Sequence, residues 1–115
     1  MLIRSQNKAF LLNFSNLTVA YIVKDDEGFV ISSLEDENRY RLGGYSSEAK
    51  AMKVLDMIQE AYEEYKITCT FLTGFTEHRA IVELNDIRVN GFKELVKSFK
   101  KNMVFQMPED GSVEV

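Results

Sequence analysis

The chain predicts an α+β fold: an antiparallel β-meander with one long amphipathic helix packed on the sheet and a shorter C-terminal helix. Three observations predict it. The stretch 46–65, SSEAKAMKVLDMIQEAYEEY, places Ala51, Leu55, Ile58, Tyr62 and Tyr65 on one face of a helix, with charged residues opposite. Short alternating apolar runs before it are separated by turn residues. Near the C-terminus, Phe92, Leu95, Val96 and Phe99 again recur at helical spacing.

In chain order, residues 2–6 read as a short edge strand, and 8–14 alternates with Phe10, Leu12 and Phe14 on one face. Ser15-Asn16 is a turn signal. Residues 17–24 alternate again, with Leu17, Val19, Tyr21 and Val23 against Thr18, Ala20, Ile22 and Lys24. Asp25-Asp26-Glu27-Gly28 turns the chain into a strand over 29–34, and Glu35-Asp36-Glu37-Asn38 turns it into another over 39–42. Gly43-Gly44 breaks that strand before the long helix, for which Ser46 is the expected N-cap. After the helix, 67–75 alternates and 79–84 is a second β run, the two read as a hairpin around Gly74. Val104 to Met107 is the last strand, stopped by Pro108. Residues 1–115 read as a single domain, and 110–115 as a frayed tail. Apolar side chains fall on both faces of the meander, so a second covering layer is expected, from the C-terminal part or from another copy.

The 115 residues are 45% hydrophobic and 11% aromatic, enough for a packed core. No apolar run approaches the ~20 residues of a membrane helix, and the first residues lack a secretory core. A single cysteine, Cys69, leaves no intramolecular disulfide. These features predict a cytoplasmic protein without membrane contact. The net charge of −4 offers no long-range attraction to nucleic acid, which is therefore not expected as the primary partner.

Ile3-Arg4-Ser5-Gln6, the step Leu42-Gly43-Gly44-Tyr45-Ser46-Ser47 into Lys53-Val54-Leu55-Asp56-Met57-Ile58-Gln59, and Val104-Phe105-Gln106-Met107-Pro108 resemble small uncharacterised proteins of Gram-positive phages and integrated mobile elements. The likeness covers residues 1–65 and 103–110. It implies context rather than activity. Such elements carry accessory proteins, including inhibitors of host defence such as anti-CRISPR proteins.

Catalysis and metal binding find little to work with. Zinc needs four ligands, usually thiolates and imidazoles, and the chain has one of each, Cys69 and His78. Asp25, Asp26 and Glu27 lack the regular oxygen spacing of a calcium loop. No nucleophile elbow accompanies a base, so the chain reads as non-enzymatic and cofactor-free. Two surfaces remain. Arg39 and Arg41 project just before Gly43-Gly44, where a helix start favours an anion, and a nucleotide or other signalling molecule is the ligand expected there. Lys93, Lys97 and Lys100 form a basic stripe, and the turns with Asp25, Asp26, Glu35 and Asp36 are acidic. The leading expectation is protein–protein binding, with a host protein such as a defence nuclease as partner. The alternatives are a protein that sequesters a nucleotide signal, and a structural or regulatory phage protein acting by self-association as a homodimer.

Overall fold

The computed structural model describes residues 1–77, 94, 97 and 100–115. Strands β1 (Leu2–Arg4), β2 (Leu11–Asn13), β3 (Val19–Asp25), β4 (Gly28–Glu35) and β5 (Asn38–Tyr45) precede helix α1 (Glu48–Glu77), and β6 (Val104–Gln106) follows it. Residues 94, 97 and 100–103 are helical and belong to the shorter helix before β6. The architecture is α+β.

The strands divide between two sheets rather than forming one. β3, β4 and β5 are the expected antiparallel meander, while β1 lies between β2 and β6. β1 is therefore central in its sheet and not an edge. It pairs antiparallel with β2 and parallel with β6, with Ile3 opposite both Leu12 and Phe105. Three residues per strand carry too little alternation to announce such a pairing.

Alternation along the meander sets which residues meet the helix. Ile22 stands opposite Ile31, which is fully buried, so Ala20, Ile22 and Lys24 share the face toward α1. Val19, Tyr21 and Val23 take the outer face. From α1, Ala51, Val54 and Ile58 are buried in the core with Ile3, Leu12, Ile31, Leu42, Tyr45, Met107 and Val113. Leu55, Tyr62 and Tyr65 pack at its margin, as their spacing required. The Phe14 and Tyr62 rings, with centroids 4.7 Å apart, tie the middle of the helix to the turn after β2. The hydroxyl of Ser33, on the central strand, is buried without a hydrogen-bond partner among the described residues.

The helix overruns its expected end. Residues 67–75, read as a strand from their alternation, continue α1, which is 30 residues and about 45 Å long. The chain holds no glycine or proline from Ser46 to Thr73, and extending an existing helix adds a hydrogen bond per residue fixed. Threonine and isoleucine cost only some tenths of a kcal/mol each in a helix. Thr70 uses its hydroxyl to bond the Lys66 carbonyl at 2.9 Å. Gly74 is likewise helical and marks no hairpin. The run expected over 79–84 and the start of the second helix lie outside the described residues.

The tail is docked. Asp110–Ser112 form a 3-10 turn, and Val113 is buried in the core. Of the segment expected to fray, only Glu114 and Val115 follow it. Among the described residues no helix is long and apolar enough to cross a membrane.

Candidate binding site at the strand–helix junction

β5 carries a bulge. Arg41 stands opposite Ser32 and Gly43 opposite Ile31, leaving Leu42 without a cross-strand partner. Leu42 turns inward and is 1% exposed, while Arg39 and Arg41 stay on the outer face. Arg41 folds back over Gly44: a Cβ there would sit 2.7 Å from its guanidinium. One Arg41 nitrogen lies 3.8 Å from the Asp25 carboxylate, both groups well exposed, an ion pair of small worth. At Gly43 a Cβ would meet the Tyr45 hydroxyl at 3.1 Å and Gln6 at 3.2 Å, so close packing favours glycine.

Gln6 fastens the junction. Its side-chain oxygen accepts from the Gly44 amide at 2.9 Å, and its amide nitrogen donates to the Gly44 and Pro108 carbonyls at 3.1 Å each. The Tyr45 hydroxyl donates to the same Pro108 carbonyl at 2.9 Å. Burial, reinforced by the negative charges of Glu109 and Asp110, pushes the Tyr45 pKa far above the ordinary phenol value.

The helix start already holds an anion. Ser47 is the N-cap, its hydroxyl accepting from the Lys50 amide at 3.2 Å, one residue later than expected. Ser46 instead donates its amide (2.8 Å) and hydroxyl (3.1 Å) to the Asp110 carboxylate. Lys50 adds an ion pair to that carboxylate at 3.6 Å and a hydrogen bond to the Asp110 carbonyl at 3.0 Å. The Ser46 amide, first among these contacts, holds the Asp110 carboxyl below the usual range. Asp110 sits where a phosphate would.

A hollow of about 220 Å³ opens beside it, lined by Asp25, Glu27, Arg41, Gly44, Ser46 and Asp110 among others. Three carboxylates there face one guanidinium. Arg39 opens instead onto a neighbouring hollow with Phe10, Tyr40 and Gly43, which Arg41 also reaches. The structure thus brings Arg41, Gly44 and Asp25 together, and leaves Arg39 to one side.

The other residues singled out by charge are scattered. Asp25 accepts from the Glu27 and Gly28 amides at 2.9 and 3.0 Å and so builds its own turn, with Asp26 exposed at the tip. Asp36 adopts a left-handed φ of +54° in the next turn, beside half-buried Glu35. Lys97 and Lys100 are exposed, and Lys97 pairs with Glu94 at 3.9 Å. Lys93 and His78 lie outside the described residues. Gln6 and Asp110 carry the junction yet escaped the sequence reading. Gln6 stands among other polar residues, Ser5, Asn7 and Lys8, with nothing to single it out, and Asp110 in a tail whose composition promised only solvent. Comparison with protein-family models, curated proteins and solved structures finds no match to the chain.

The Asp110 contact has a pH signature. Its lowered folded-state pKa means that the stability it contributes is complete above the ordinary aspartate value of about 4. That contribution is lost as pH falls through the lower folded value. Asp110→Asn should therefore be less stable than wild type at pH 7, with the gap closing in acid. Urea midpoints of the two proteins measured from pH 7 downward check this, and a gap independent of pH would count against it.

Proposed function

We propose that the chain is a non-enzymatic binding protein that works by covering part of a partner protein's surface. The observation that supports this reading is the state of the strand–helix junction. Its amides, carboxylate and lysine are spent on one another, and the remaining hollow is acidic, so a nucleotide phosphate meets repulsion there. Surface features of the kind that proteins recognise stand elsewhere: exposed acidic turns at Asp26 and Asp36, and apolar Leu11 and Ile67 at the surface. The resemblance to phage and mobile-element proteins makes a host defence protein, a nuclease in particular, the expected partner. Cytoplasmic action follows from that partner.

The test pairs two measurements. The purified chain is mixed with the purified effector nuclease of a Gram-positive CRISPR system and passed over a sizing column, and DNA cleavage is assayed in parallel. Co-elution with cleavage falling in proportion to the added chain is the expected result. A nucleotide thermal-shift screen is the counter-test. A rise of several degrees with one nucleotide, abolished by Arg41→Ala, would move the function to sequestration of a signal.

A further inference from the structure

We propose that two copies of the chain associate through β3, edge to edge and antiparallel, to make one continuous sheet across a twofold axis. This goes beyond the binding reading and does not depend on it. Among the described residues β3 has a neighbour, β4, on one side only. Its other side, a seven-residue edge, carries no strand among those residues.

Edge strands are ordinarily protected by charge, proline or a mid-strand bulge, and β3 has none of these from Val19 to Val23. Val19 is 42% and Val23 39% exposed on the outer face. The strand is also complementary to itself. In the antiparallel register centred on Tyr21, Val19 faces Val23 of the second copy and Ala20 faces Ile22. Tyr21 meets its own equivalent, and Thr18 faces Lys24. Apolar residues pair with apolar or aromatic ones throughout, and no like charges are opposed.

The inner face agrees. Ile22, Phe29, Met52 and Leu55 line a groove between β3 and α1, with Lys24 and Glu48 at its margin. Met52 is 50% exposed there. A strand added to the β3 edge directs alternate side chains toward that groove, and in the proposed register these are Ala20 and Ile22 of the second copy. A second copy thus fills the edge and the groove together.

The test reads mass by light scattering across about a hundredfold dilution. The expected wild-type value is twice the 13.2 kDa of one chain, falling toward one chain on dilution. Val19→Lys/Val23→Lys opposes like charges at both ends of the seam and should weaken association by about tenfold or more. Both positions are exposed, so its circular dichroism should match wild type. Val19→Glu/Val23→Lys opposes unlike charges in this register and should restore the dimer.

A wild type that is monomeric at every concentration overturns the proposal, leaving the edge to another partner or to the chain's own residues. A dimer indifferent to Val19→Lys/Val23→Lys overturns it too, because the contact then lies elsewhere. If Val19→Glu/Val23→Lys associates no better than the double lysine variant, the register centred on Tyr21 is refuted.

Discussion

Gly28→Ala is expected to destabilise the fold by about 3 kcal/mol. Gly28 has a φ of +142°, a backbone conformation L side chains rarely adopt. A Cβ built on it lies 2.5 Å from the Tyr45 carbonyl oxygen, and that obstacle is backbone, which cannot swing aside as a side-chain end does. Tyr45 is the last residue of β5 and pairs with Phe29, so the clash falls at the strand's handover to α1. Gly111 supplies the control: a Cβ there has nothing within 4 Å, and Gly111→Ala should be close to neutral. Urea denaturation of both variants measures the difference. Equal midpoints would show that the close approach at Gly28 is relieved at little cost.

Leu42→Ala should cost about 3 kcal/mol as well, for a different reason. Leu42 is the extra residue of the β5 bulge, buried to 1% exposure, and its carbonyl accepts from the Gln6 amide at 2.8 Å. Truncation leaves a cavity among Ile31, Tyr45 and the helix face while keeping that backbone bond. Leu11→Ala is the comparison, since Leu11 is 50% exposed and its loss should stay within about 0.5 kcal/mol. Denaturant midpoints again decide. A cost at Leu42 no greater than at Leu11 would remove the bulge residue from the core.

Sequence reasoning reached the elements whose signal is local. The alternation of 17–24 and 29–34 and the acid-glycine turn between them announced the hairpin β3–β4, with strand ends one or two residues from the observed Val19–Asp25 and Gly28–Glu35. The spacing of Ala51, Leu55, Ile58, Tyr62 and Tyr65 likewise placed the inward side of α1, of which Ala51 and Ile58 are buried and the other three pack at the margin. It failed where an adjoining element or a distant segment overrides the local pattern. Alternation of Ile67, Cys69 and Phe71 suggests a strand, but the helix already formed upstream carries the chain onward. The β1–β6 pair joins residues a hundred positions apart in three-residue strands, too short for a pattern. At the candidate site, Arg41, Gly43 and Gly44 were visible because of their residue types. Their neighbours were not, since nothing in the tail marks Asp110 as the carboxylate that answers the Ser46 amide.

The parallel seam between β1 and β6 has a consequence for how the molecule comes into being. The β3–β4–β5 hairpins close over short loops and can assemble while synthesis continues. Ile3 must wait with one flank open until Phe105 has left the ribosome. The small sheet is thus a clasp that can close only after the C-terminal strand has been made, and until then the earliest strand lacks its second neighbour.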